Sequence, residues 1–272
     1  MENVEKLVRQ TISKYKLCNK KEKILVALSG GKDSTATAFL LHKLGYKIEG
    51  FHIDLKIGKY SDDCRKAVKK LCLDLKIKLY VYDIKKEMGS GMCYLRTAIQ
   101  SKSGKGKLKN CAICGVIKKW IMNKEERELK VDKIATGHNL DDEAQTVLMN
   151  LFKGSFELSS NSGAITKNIR DKKFIPRIKP LFYIPEEEVR EYSKKMKLPV
   201  VYDKCPCAND SYRIQVRKFM NTLTDEQKEN ILGNFESIQN KFNLKNKDTL
   251  NYCENCGEPS RNKICKKCEL MG

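Results

Sequence analysis

No run of eighteen consecutive apolar residues occurs in this 272-residue chain, which excludes a membrane-spanning helix on length alone. The N-terminal segment MENVEKLVRQTISKYKL is charged throughout and lacks the apolar core of a secretion signal, so a soluble cytosolic chain is expected. Internal repeats and long low-complexity tracts are missing as well, which sets repeat architectures aside. Acidic residues are in short supply. Thirty-four Asp and Glu against 54 Lys and Arg leave a net charge of +20. That imbalance favours a polyanionic partner, either nucleic acid or an acidic membrane surface. Apolar residues at 40% still suffice for a buried core, which excludes disorder as the default state.

Cysteine, by contrast, is plentiful at twelve residues. In a reducing compartment these cannot form a disulfide framework. Cys111 and Cys114 form a C-x-x-C, Cys205 and Cys207 a C-x-C, and Cys253, Cys256, Cys265 and Cys268 two further C-x-x-C pairs. Clustered thiolates in such a setting point to metal. Cys18, Cys64, Cys72 and Cys93 are scattered, and each is expected to be a buried thiol.

Short apolar runs alternate with helix-period stretches. Ile24 to Leu28, Lys47 to Asp54, Leu79 to Tyr82 and Ile134 to Thr136 read as strands. Helices are expected after Ser34, over Ser61 to Leu75, from Leu140 to Phe152, over Pro185 to Met196 and over Asp225 to Lys241. Alternation of this kind predicts an α/β fold, an open parallel twisted sheet with helices on both faces. Gly89 to Asn110 and residues 155 to 175 read as loops. The expected organisation is an N-terminal helix (1–20), a catalytic domain (21–200), a helical extension carrying Cys205 (201–248) and a small zinc ribbon (249–272).

Ser29-Gly30-Gly31-Lys32-Asp33-Ser34 sits where the first strand hands over to a helix. Two glycines let the backbone approach an anion, and helix N–H groups with Lys32 supply positive charge. The string is neither a Walker loop nor G-x-G-x-x-G. It resembles the pyrophosphatase loop of the N-type ATP pyrophosphatases, which cut ATP between its α and β phosphates. His52-Ile53-Asp54 closes the second strand, where an adenosine is expected to lie. Thr136-Gly137-His138-Asn139-Leu140-Asp141-Asp142 closes the fourth, with Gly137 expected to let a ligand come close. Asp141 or Asp142 could hold Mg2+, although for Asp141 favourable charge at a helix N-terminus is the preferred reading.

Ile113, Val116, Ile117, Trp120 and Ile121 follow helical spacing, which places Cys111, Cys114 and Lys118 on one stripe beside that apolar face. Cys205, after the strand-like Val200-Val201-Tyr202, is the natural third thiol. Three thiolates without a fourth suit an iron–sulfur cluster with one open iron. A disulfide or persulfide relay and a second structural zinc using Cys207 remain open alternatives.

The loop, the C-x-x-C after a basic linker, TGHNLDDEAQT and the later Cys-Pro occur in the order seen in tRNA 2-thiolation enzymes of the PP-loop ATP pyrophosphatase superfamily. The resemblance covers roughly residues 20 to 270 and is nearest the archaeal and eukaryotic uridine thiolases. It implies a HUP-like fold and a [4Fe-4S] cluster on Cys111, Cys114 and Cys205. It implies ATP on Ser29 to Ser34, with further contacts at His52, Asp54, Lys118, Gly137 and Asp142. Lys32 and Asp33 join the three cysteines as the catalytic set. Partners implied are tRNA, a sulfur donor (sulfide or a ubiquitin-like carrier) and a second copy in a homodimer, with no membrane. Wobble uridine 34 is the expected target; uridine 54 and cytidine 32 are alternatives. A lysidine-synthase-like enzyme and a non-catalytic zinc-dependent RNA-binding module are the rival classes. Two departures stand out: an N-terminal zinc ribbon common in uridine thiolases is missing, and Cys207 stands where many relatives have no cysteine.

Cys253-x2-Cys256-x8-Cys265-x2-Cys268 suits tetrahedral Zn2+, which contributes about 10–16 kcal/mol to folding units this small. Lys102, Lys105, Lys107 and Lys109, with Lys172, Lys173, Arg177, Lys179, Arg213 and Arg217, are candidates for an RNA-backbone track.

Overall fold

The structure, a computed structural model, describes residues 2–102, 109–154, 163–166, 173–208, 212–241, 251–260 and 262–272. Three strands rich in apolar and β-branched residues, β1 (Lys23–Ala27), β2 (Lys47–Asp54) and β3 (Leu79–Asp83), run side by side. With β4 (Lys133–Ala135) and β5 (Arg177–Ile178) they form one sheet of order β3-β2-β1-β4-β5, every pair parallel. The chain fills one side of β1, then returns to its other side. The crevice beyond the ends of β1 and β4 is therefore a topological switch point, where open α/β sheets bind ligands.

Alternate residues of β1 face opposite layers, as strand geometry requires. Ile24 and Val26 join the larger apolar cluster, with residues of α1 (Glu2–Tyr15), α2 (Lys32–Lys43), α3 (Gly58–Asp74), α7 (Leu140–Phe152) and α8 (Glu186–Lys195). Leu25 faces the smaller cluster, with residues of α4 (Ile84–Met88), α5 (Met92–Lys102) and α6 (Asn110–Glu128). The sheet is covered on both faces, as the alternation predicted. The helical part that follows comprises α9 (Tyr212–Met220) and α10 (Asp225–Lys241), and a small unit with β6 (Asn251–Tyr252), β7 (Pro259–Ser260) and α11 (Lys266–Met271) ends the chain.

Several local readings change. The span Gly89 to Asn110 is not a loop throughout, because α5 occupies its middle and buries Met92, Leu95, Arg96 and Ile99. The i, i+3, i+7 spacing of Met92, Leu95 and Ile99 was the available signal. Helix α3 begins at Gly58 rather than Ser61; the Ser61 hydroxyl instead accepts the Ile57 amide at 2.9 Å. Val200 to Tyr202 lies outside the sheet, while the two-residue β5, too short to register as a pattern, completes it. Within 155–175, Ile165 bridges Ile178, whereas 155–162 and 167–172 lie outside the described residues. No described helix is long and apolar enough to cross a membrane.

Candidate functional site

The anion loop is built by its own hydroxyls. Ser34 Oγ accepts the Ser29 amide at 3.1 Å and donates to the Gly31 carbonyl at 3.1 Å, while the Gly31 amide donates to Ser29 Oγ at 3.3 Å. Gly30 turns the chain at φ +87°, and a Cβ there would lie 2.9 Å from the Cα and Cβ of Cys64. Gly31 caps α2, so that helix opens directly onto the loop.

Lys32 is buried and already engaged: its ammonium pairs with Asp33 at 2.8 Å and with Glu186 at 2.9 Å. Asp33 also accepts from Asn139 Nδ2 at 3.0 Å, and Asn139 Oδ1 caps α7 by accepting the Asp142 amide at 3.0 Å. One asparagine thus joins the two strand ends. Their approach is tight. A Cβ on Gly137 would sit 2.6 Å from the Asp33 carbonyl carbon and the Ser34 nitrogen. With no Cβ at Gly137, the end of β4 can close directly onto the backbone of the anion loop.

Asp142 pairs with Arg213 at 3.0 Å and reaches Arg217 at 3.7 Å. Asp141 accepts the Glu186 amide at 2.7 Å and pairs with Lys228 at 2.8 Å, so its role here is to hold the helix junction. Glu186, which also pairs with Arg217, was not among the expected site residues. Its mark in the sequence, the Pro-Glu-Glu-Glu start of α8, reads only as a helix signal.

His52 and Asp54 are both buried at the end of β2. Nδ1 of His52 donates to the Leu28 carbonyl at 2.8 Å, and Nε2 is enclosed with no partner among the described residues. Burial holds the imidazole below the ordinary histidine range, the carbonyl bond opposing it. Asp54 pairs with Lys56 at 2.9 Å and Arg65 at 3.6 Å. His138 faces solvent and shares a hydrogen bond with Thr136 at 2.9 Å.

The Gly30 carbonyl accepts the Val201 amide at 2.9 Å. This bond carries the chain from the anion loop to Cys205, four residues on. Cys205, Cys207 and Cys114 pack against the smaller apolar cluster. Desolvation raises the Cys205 thiol, with the Cys207 and Cys114 thiols adding to the rise. Cys111 and Cys114 lie in the first turn of α6, Cys111 exposed, and Lys118 is half-buried one turn further along. A set of soft sulfur donors beside an apolar wall fits an iron–sulfur group.

Cys93 departs from expectation. It is exposed on α5, its sulfur 3.8 Å from that of Cys207, and Arg96 donates to both. Cys64 and Cys72 are buried as expected, and Cys18 is half-buried, its thiol pushed up to about 12 by desolvation.

The sulfurs of Cys253, Cys256, Cys265 and Cys268 all lie within 4.8 Å of one another. Cys256 and Cys265 are 3.6 Å apart, close to the edge of about 3.8 Å that a tetrahedron with zinc–sulfur bonds of about 2.3 Å requires. The Cys265 amide donates to Cys253 Sγ at 3.2 Å, and such amide bonds lower the Cys253 thiol to about 6. The donor set fits zinc. This unit docks on α6: Arg127 forks onto Glu258, Lys173 donates to the Gly257 carbonyl at 2.8 Å, and Lys267 lies 4.4 Å over the Trp120 ring. Several cations of the expected RNA track are thereby turned to other work. Lys173 holds the ribbon, Arg177 bonds Asn123, and Lys179 pairs with Glu143 at 2.7 Å. Lys105, Lys107 and Lys172 lie outside the described residues.

A family model described as a PP-loop domain matches residues 1–223. The chain belongs to the PP-loop family. Within it, the tRNA-5-methyluridine(54) 2-sulfurtransferase of Pyrococcus horikoshii is 36% identical over 276 residues, covering 100% of this chain and 85% of that protein. Cytoplasmic tRNA 2-thiolation protein 1 of Drosophila mojavensis is 34% identical, covering 97% of this chain and 77% of its own length. Among solved structures, the U34-tRNA thiolase NcsA from Methanococcus maripaludis with its [4Fe-4S] cluster superposes at TM-score 0.79 and 28% identity. It covers 99% of this chain and 86% of that one. This PP-loop chain is a member of the tRNA 2-thiolation group.

Proposed function

We propose that this tRNA sulfurtransferase activates the C2 oxygen of a tRNA uridine with ATP, releasing pyrophosphate, and then replaces the adenylate with sulfur. One observation carries the reading: the Val201–Gly30 hydrogen bond of 2.9 Å, which couples the segment bearing Cys205 to the anion loop. Activation and sulfur delivery need adjoining sites, because positioning two reactants together removes most of the entropic barrier.

The loop amides, with Ser29, Gly30, Gly31 and Ser34, would receive the phosphates, and Lys32 would turn to them from Asp33 and Glu186. Asp33, held by Asn139, is the candidate Mg2+ ligand, and Asp142 lies behind it on α7. His52 and Asp54 would shape the wall beside the adenosine, with Gly137 setting how closely the two strand ends meet, and Lys118 on α6 would add a further nucleotide contact. Cys111, Cys114 and Cys205 would hold the [4Fe-4S] cluster named for the NcsA structure. When bound, such a cluster supplies an iron without a protein ligand, where a hydrosulfide can be held. Cys253, Cys256, Cys265 and Cys268 would hold Zn2+ and brace α6.

The relatives name two positions, uridine 34 and uridine 54. Both lie within this reading. A cytoplasmic location, a homodimer, and sulfide or a ubiquitin-like carrier as sulfur donor complete it. The test is anaerobic reconstitution with iron, sulfide, ATP and tRNA, followed by nucleoside analysis. Thiolated uridine is expected, and it should vanish from a transcript lacking uridine 34 while persisting in one lacking uridine 54; the opposite pattern would place the target at 54. Loss of product in Cys111→Ala, Cys114→Ala and Cys205→Ala supports the reading. Full activity of the triple variant overturns it.

A further inference from the structure

Beside the three cluster cysteines lies a second sulfur pair, Cys93 and Cys207. They come from positions 114 residues apart, and their sulfurs are 3.8 Å from each other. Between them Arg96, only 6% exposed, donates Nη2 to Cys207 Sγ at 2.8 Å and to Cys93 Sγ at 3.1 Å. The Nε of the same guanidinium is buried with no partner among the described residues. A buried arginine seldom leaves a donor unsatisfied, since the desolvated N–H then has no bond to replace the one it made to water. Here the idle N–H belongs to a cation already gripping two sulfurs, so an additional anionic or polarisable sulfur is the ligand that would satisfy it.

We propose that Cys93, Cys207 and Arg96 form a sulfur-acceptance site for a persulfide donor, resting on the thiolation reading above. Cys93 is the exposed member and takes the load: R–S–SH + Cys93–SH gives R–SH + Cys93–S–SH. The donor's sulfur–sulfur bond breaks and a new one forms on Cys93. Cys207, half-buried and two residues from Cys205, then attacks the inner sulfur. Cys93–S–SH + Cys207–SH gives a Cys93–Cys207 disulfide and hydrogen sulfide. The transferred sulfur is reduced by two electrons, and the two thiols are oxidised to the disulfide. A low-molecular-weight thiol reduces that disulfide, two equivalents per turn, and resets the site. Sulfide is thus released two residues from the cysteine whose segment is tied to the anion loop.

The test uses the full-length protein under anaerobic conditions with glutathione persulfide, read by mass spectrometry of intact protein and peptides. Cys207→Ser is expected to accumulate one extra sulfur on Cys93, because its resolving partner is gone. Wild type is expected to pass to the Cys93–Cys207 disulfide, and Cys93→Ser to form neither. In thiolation assays Cys93→Ser is expected to lose persulfide-driven activity and to keep sulfide-driven activity. Loading of Cys111, Cys114 or Cys205 with Cys93 unmodified would overturn the proposal, as would equal persulfide-driven activity in Cys93→Ser. Failure of wild type to thiolate tRNA with free sulfide would count against the enzymatic reading instead, leaving the labelling result to stand by itself.

Discussion

Arg127, on the helix whose first turn carries Cys111 and Cys114, forks onto Glu258 in the four-cysteine unit. Both side chains are shielded from solvent, and Leu270 and Met271 pack on the same apolar cluster as α6. The ribbon therefore braces the helix that presents two of the candidate cluster ligands.

Breaking that brace should loosen α6 without unfolding the sheet. Glu258→Ala removes the carboxylate that Arg127 grips, and the expected cost is about 1–3 kcal/mol. Hydrogen exchange should quicken across Asn110–Glu128 and Lys266–Met271 while β1 and β2 stay protected. Chelating the zinc proposed for the ribbon should reproduce the pattern. Unchanged exchange in α6 would show that the ribbon is not its support.

Gly137 is expected to tolerate no side chain. A Cβ would meet the Asp33 and Ser34 backbone at 2.6 Å, where no flexible atom can yield. Gly137→Ala should push the β4 end off the anion loop, costing about 1–3 kcal/mol as overpacking usually does. Nucleotide affinity by calorimetry should fall sharply, with far-ultraviolet circular dichroism unchanged.

Glu186 competes for Lys32. It holds the ammonium at 2.9 Å, the charge that Lys32 would otherwise offer to a phosphate. Glu186→Gln weakens that competitor by on the order of 1 kcal/mol, because a charged hydrogen bond becomes a neutral one. Nucleotide should bind several-fold more tightly to the variant, with little dependence on salt because Lys32 is buried. Weaker binding would mean that Glu186 aids the bound state instead.

Glu126 gives the fold a pH signature. It is 1% exposed, with Oε1 unpartnered among the described residues, and desolvation raises its carboxyl to about 8, against Arg177 and Arg127, which lower it. A carboxyl raised in the folded state contributes fully below the unfolded value near 4.5 and loses that contribution as pH climbs to about 8. Glu126→Gln carries no such charge. Its stability in denaturant titrations should match wild type most closely at pH 4.5 and exceed it increasingly toward pH 8, by on the order of 1–3 kcal/mol. Parallel pH curves would refute the assignment.

Features set by neighbours along the chain were readable in the amino-acid order. The Ser29–Ser34 loop after an apolar strand, the cysteine pair opening α6 and the ribbon's four-thiolate spacing are all short-range patterns, and short spacing translates directly into local geometry. Parallel strand alternation was readable for the same reason. Helix α5 was overlooked, and the pair Cys93 and Cys207, the Glu186 grip on Lys32 and the seating of the ribbon on α6 were settled only when the chain folded. Apart from α5, whose local spacing was legible, each brings together residues far apart along the backbone, and local periodicity carries no record of which distant surfaces will meet. The same holds for Gly137. Its place at a strand end is plain from the string, but its neighbour, the backbone of Asp33 and Ser34, arrives by a crossover of the sheet.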